Sequence, residues 1–183
     1  MAVVIAMLRG VNLGNHQKLN MEALRKHCAG LGLEDVQTYI QSGNLIFRDS
    51  GNPATLARRL EDGIEARFGF RPPVILRTAA ELRKVIAKNP FAARSGINPS
   101  RLLVFFLATS PARQALNRLF AMPCDPEELR ANGRELYIYY PEGMARPRIP
   151  LARLEKTLQC FSTGRNWNTV LKLAAMAEAL ETS

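Results

Sequence analysis

The sequence predicts an α+β fold of two tandem ferredoxin-like repeats, βαββαβ followed by βαββα, closed by a C-terminal helix. Three observations carry this. Short apolar, β-compatible runs alternate with capped helical segments in the same order in both halves. Each half holds a strand-turn-strand signal, at residues 41–44 and at Asn132-Gly133. The final segment, about residues 167–180, is Ala-rich and nearly all apolar, as a helix packed against protein requires.

Each element has a local reason. Residues 2–8 are apolar and form the first strand; residues 9–15 are a loop by their Gly and Asn content. Asn20 caps a helix from about residue 21 to 31, with Leu19 and Leu24 as a hydrophobic staple and Gly30 and Gly32 ending it. Residues 36–40 and 45–47 read as strands of a hairpin. Asn52-Pro53 supplies a cap and a first-turn proline for a helix that stops at Gly69. Residues 73–77 are the fourth strand, and Thr78 with Glu81 forms a capping box for a helix that Pro90 ends.

The pattern then returns. Residues 102–107 are a strongly apolar strand, and Ser110-Pro111 starts a helix that Pro123 and Pro126 break. Residues 129–138 surround the Asn132-Gly133 turn, and Pro150 opens a helix through about Leu158. The expected organisation is residues 1–90 as the first repeat with a trailing helix, 91–100 as linker, and 101–183 as the second repeat with the final helix, packed as one compact unit.

Composition removes several classes. At 183 residues and 47% hydrophobic the chain is long enough to bury a core, which argues against disorder. No apolar run approaches the ~20 residues a bilayer needs. The N-terminal apolar run meets Arg9 after it, whereas a signal peptide carries its charge before. A cytoplasmic protein without membrane association is expected. Cys28, Cys124 and Cys160 are scattered, with no C-x-x-C, which fits reduced thiols. With only His16 and His27 to help, they argue against a zinc site. No cofactor is expected. The net charge of +9 divides into 14 basic against 8 acidic residues up to residue 100, and 11 against 8 beyond it. Such a spread excess attracts polyanions and also keeps a protein soluble, and no base-reading motif accompanies it.

Three blocks carry a resemblance: Leu8-Arg9-Gly10-Val11-Asn12-Leu13-Gly14, Thr38-Tyr39-Ile40-Gln41-Ser42-Gly43-Asn44, and Arg165-Asn166-Trp167-Asn168-Thr169-Val170-Leu171-Lys172-Leu173. Gly133-Arg134-Glu135-Leu136-Tyr137 and Tyr140-Pro141-Glu142-Gly143 fit it as well. Together they resemble the bacterial family of domain of unknown function 1697, over nearly the whole chain. The resemblance implies no catalytic residue. Asn15, where relatives often have a second glycine, and Gly164, where a less flexible residue is common, depart from the pattern without breaking it.

A candidate site follows from topology. In a ferredoxin-like unit the first two strands run parallel with the third between them. The end of strand one therefore meets the hairpin between strands two and three. This brings Arg9, Asn12, Gly14, Asn15 and Lys18 toward Gln41, Ser42 and Asn44, beside a helix N-terminus, in an arrangement suited to phosphate or carboxylate. It is neither a P-loop nor a dinucleotide fingerprint. The same residues also read as plain turn chemistry. Arg165 and Asn168, at the opening of the last helix, are further anion-donor candidates, while Trp167 reads as a packing anchor.

Catalytic signals are thin. Ser42 lacks the G-x-S-x-G elbow, Cys28 falls mid-helix, and His16 is a lone histidine in a polar loop. Tyr137 and Tyr139 read as a stacking platform for single-stranded nucleic acid or as the packed face of a hairpin. The leading expectation is a protein that binds a small phosphorylated or anionic ligand at the first-half loops. The rivals are a nucleic-acid-binding module with a basic face, an enzyme on an anionic metabolite assisted by His16 or Ser42, and a homo-oligomeric structural protein.

Overall fold

The computed structural model describes all of residues 1–183. The elements are β1 (Ala2–Leu8), α1 (Met21–Gly30), β2 (Glu34–Tyr39), β3 (Asn44–Asp49), α2 (Pro53–Phe68), β4 (Val74–Thr78), α3 (Ala79–Ala87), β5 (Leu102–Leu107), α4 (Arg113–Phe120), β6 (Glu128–Asn132), β7 (Glu135–Tyr139), α5 (Leu151–Leu158), β8 (Ser162–Asn166) and α6 (Trp167–Thr182). The chain divides into two compact units, Met1–Lys84 with Lys172–Ser183, and Val85–Leu171.

The first unit carries an antiparallel sheet in the order β2-β3-β1-β4. Val4, Ala6 and Leu8 of β1, Leu45 and Phe47 of β3, and Val74 of β4 face Leu24 and Cys28 of α1 and Leu56, Leu60 and Ile64 of α2. Each fully buried Leu, Ile or Phe among them contributes about 1.5–3 kcal/mol of transfer free energy. The opposite face is closed too: Ile5, Met7 and Ile46 have no exposed area. Burial on both faces explains why β1 reads as an unbroken apolar run instead of an alternating one. The end of α6 lies over β3, where Arg48 Nη2 donates to the Leu180 carbonyl. The expected caps form. Asn20 and Asn52 accept from Ala23 and Ala54 N–H, and Thr78 exchanges bonds with Glu81.

The second unit repeats the topology in a sheet ordered β6-β7-β5-β8. Phe105, Leu107, Leu136 and Ile138 pack against Ala115 and Leu119 of α4 and Leu154 and Leu158 of α5. On the other face Val104, Phe106 and Tyr137 are fully buried, and the Tyr137 hydroxyl donates to the Val85 carbonyl at 2.7 Å.

Four local expectations change here, the first being that β2 ends at Tyr39, so Ile40, expected in the strand, falls in the turn at φ 50°. The second repeat is a complete βαββαβ, because Ser162–Asn166 forms β8 against β5, from Leu107↔Ser162 to Leu103↔Asn166. Its Ser-Thr-Gly-Arg-Asn sequence has weak strand propensity, so the pairing is imposed by its neighbour. Gly164 fits closely there, since a Cβ would lie 3.0 Å from the Phe105 ring. Helix α4 begins at Arg113, two residues past Pro111, with Ala112 at its N-cap and no side-chain cap. The hairpin register pairs Asn132 with Glu135, so the turn is Gly133-Arg134, with Gly133 at φ +60° in the first central position of a type II′-like loop.

Candidate functional site

Within the first unit β3 runs antiparallel to both β1 and β2, so the C-terminal end of β1 and the β2–β3 hairpin share one sheet edge. The Leu8 N–H donates to the Gly43 carbonyl at 2.8 Å. Gly43 has φ +78°, and a Cβ there would fall 2.4 Å from Val11 Cγ2 and 2.9 Å from Leu8 Cβ. Only glycine lets the two loops approach this closely.

Asn12 joins them. Its Nδ2 donates to the Gln41 carbonyl at 2.7 Å and to the Leu19 carbonyl at 3.0 Å, while its Oδ1 accepts from the Leu19 N–H at 2.7 Å. Asn44 is fully buried, and its Nδ2 donates to the Tyr39 carbonyl and to Ser42 Oγ, both at 3.0 Å. The amides of Asn12 and Asn44 thus hold the loops in shape. Gly14, Asn15, His16, Lys18 and Gln41 are exposed around them, and Arg9 and Ser42 are half-buried. Asn20 occupies the Ala23 N–H at the start of α1.

The backbone is unusual here. Five non-glycine residues in the chain have positive φ, and three lie in these loops: Asn12 (55°), Gln17 (48°) and Ile40 (50°). Ile40 is β-branched and 48% exposed, and Leu13 on the facing loop is 66% exposed.

Arg165 and Asn168 belong to the second unit. Arg165 lies on β8, one residue short of α6, and is 6% exposed. Its Nη1 donates to Thr163 Oγ1 at 2.7 Å and to the Gly164 carbonyl at 2.9 Å, and burial pushes the guanidinium pKa down. Sequence reading missed its counterpart in the first unit, Arg77, which is 1% exposed and donates to its own preceding carbonyl, Leu76, at 2.8 Å. Aligning the ends of the two repeats, Arg77-Thr78 with Arg165-Asn166, would have found it. Asn168 is exposed, and its N–H donates to Asn166 Oδ1 at 3.0 Å.

The cysteines offer no reactive thiol. Cys28 is fully buried, and desolvation pushes its thiol up to about 12, far from a reactive thiolate. Burial raises the Cys124 and Cys160 thiols as well. No three His, Cys, Asp or Glu side chains gather in a way that could hold a metal ion. Tyr137 and Tyr139 are buried at 0% and 7% exposure, so they form a packed face and offer no stacking platform. No helix is long and apolar enough to cross a membrane.

One solved structure, that of the conserved bacterial protein SP0830 from Streptococcus pneumoniae, is similar over 96% of this chain and 98% of its own, with 22% identity and a TM-score of 0.78. That likeness shows the shared fold. A search of curated proteins gives no match. The family model described as Protein of unknown function (DUF1697) matches residues 1–137, and the chain belongs to that family.

Proposed function

We propose that this protein binds a small ligand bearing a phosphate or carboxylate at the paired loops of the first unit, around residues 9–18 and 41–44. The observation that carries the reading is the concentration of left-handed, non-glycine backbone in two loops tied together by Asn12. Each such residue costs on the order of 1–3 kcal/mol, and strain of this kind clusters at ligand clamps and active sites. Lys18 and Arg9 supply positive charge, and Asn15, Gln41 and Ser42 supply polar contacts. Asn12 and Asn44 act as positioning residues. A nucleic-acid role on the sheet surface is disfavoured because the central strands β1 and β5 are buried on both faces apart from exposed Ala2 and half-buried Leu103.

The test is thermal unfolding against inorganic phosphate, mononucleotides, sugar phosphates, small carboxylates and a short RNA, each at low and high salt. A ligand at ~100 times its Kd stabilises by about 2.7 kcal/mol. The reading expects a salt-tolerant shift with one class of small anion, reduced in Lys18→Ala and Arg9→Ala. A shift with RNA alone, and only at low salt, would replace it with the counterion-release reading. No shift with any small anion would sink it.

A further inference from the structure

The connection between β7 and α5 differs sharply between the repeats. In the second unit it spans residues 140–150; the matching connection in the first unit, between Asp49 and Pro53, has only residues 50–52. The long loop is pinned at both ends by buried Tyr140 and Ile149. Arg101 donates to the Pro141 carbonyl, and the Arg148 N–H donates to Glu127 Oε1 at 2.7 Å. Between this loop and residues 126–127 lies a cleft of about 360 Å³. That is the scale of a small-molecule site.

Four charged residues line the cleft: Glu127, Glu142, Arg146 and Arg148. Glu127 is only 7% exposed, yet its carboxylate takes a single hydrogen bond, from the Arg148 backbone, and no ion pair. The carboxylate oxygen without a hydrogen bond is not sealed in the interior, and the residue lines the cleft. The contrast is Asp49, 8% exposed, which receives both the Arg59 guanidinium and the Gly51 N–H. Glu142, Arg146 and Arg148 are exposed. None of the four makes an ion pair with another, though all four line the same cleft.

We infer that this cleft binds a small zwitterion of the free α-amino acid class. The ligand ammonium sits against Glu127 and Glu142 and supplies the counter-charge that Glu127 lacks. The ligand carboxylate faces Arg146 and Arg148, whose planar guanidiniums match a carboxylate in bidentate fashion. A lone anion would leave the buried carboxylate uncompensated, and a lone cation would leave the arginines unused.

Titration calorimetry on the full chain tests this with the standard amino acids, and with acetate and methylammonium as half-ligands. At least one amino acid should bind saturably, about tenfold or more tighter than either half-ligand. Glu127→Gln keeps an acceptor for the Arg148 N–H and removes the charge; Arg146→Ala changes an exposed side chain. Each should weaken binding about tenfold or more. If Glu127→Gln does not fold, Arg146→Ala alone decides. The inference is overturned if no amino acid binds saturably, if acetate binds as tightly as every amino acid, or if both variants bind like the parent.

Discussion

Asn12 and Gln41, 29 residues apart in the chain, are joined by a 2.7 Å hydrogen bond from Asn12 Nδ2 to the Gln41 carbonyl. The same side chain binds both the N–H and the carbonyl of Leu19. One amide therefore fixes the loop after β1, the entry to α1 and the β2–β3 hairpin. Each such bond contributes on the order of 0.5–1.5 kcal/mol net. Asn12 also tolerates the left-handed backbone at φ 55° better than alanine would. Asn12→Ala is expected to destabilise the protein by about 2–3 kcal/mol, seen as a lower urea midpoint at an unchanged m value. A loss within experimental error would show that the loops hold together without it.

Ile40 separates stability from function. A β-branched residue at φ 50° with 48% exposure has neither a backbone nor a burial reason to be isoleucine. Asparagine adopts this region more readily. Ile40→Asn is expected to raise stability by about 0.5–1 kcal/mol. If the loop pair is the ligand site, the same variant should also shift ligand affinity. A variant that is less stable than the parent would mean that the isoleucine side chain supports the loop.

The two tight glycines should differ in a defined order. At Gly43 a Cβ meets two side chains held in the core and the backbone is left-handed, so both strain and overlap oppose alanine. Gly43→Ala is expected to cost about 3 kcal/mol or more. At Gly164 the backbone is ordinary and the one obstacle is the Phe105 ring at 3.0 Å. A shift of that ring by a few tenths of an ångström accommodates the methyl, so Gly164→Ala should cost about 1 kcal/mol. Chemical denaturation of both variants checks the order, and equal losses would contradict it.

How far the fold was legible depends on where its information sits. The strand β1, the Asn20 and Asn52 caps and the Thr78–Glu81 box are local and were readable. Strand β8 was not, because its pairing with β5 and not its own residues makes it a strand. The meeting of the loops after β1 and β2 followed from topology alone. The division of labour within them did not: spacing does not reveal that the amides of Asn12 and Asn44 point at backbone groups. Arg165 was placed at a helix opening, whereas β8 carries it into a buried position. The unpaired charge of Glu127 was invisible for a similar reason. Its surroundings come from a loop up to 21 residues away in the chain.

Alkaline pH offers the last test, through groups buried in their neutral forms. Desolvation pushes the Cys28 thiol up to about 12, and it raises the hydroxyl pKa values of Tyr137 and Tyr140 above the ordinary tyrosine value. In the unfolded chain these groups ionise near 8.5 for cysteine and 10 for tyrosine. Above those values the unfolded state binds fewer protons than the folded one, so stability falls as pH rises. The loss should begin near pH 9 through Cys28 and steepen above about 10 through the tyrosines. Tyr137→Phe removes one of these groups and also the donor to the Val85 carbonyl. At neutral pH the variant should therefore be about 1 kcal/mol less stable than the parent. Between pH 10 and 11 the gap should narrow, because only the parent keeps losing stability through this hydroxyl. Urea midpoints for both proteins across pH 7–11 measure the gap directly. A gap that stays constant would mean that Tyr137 ionises in the folded protein as readily as in the unfolded chain.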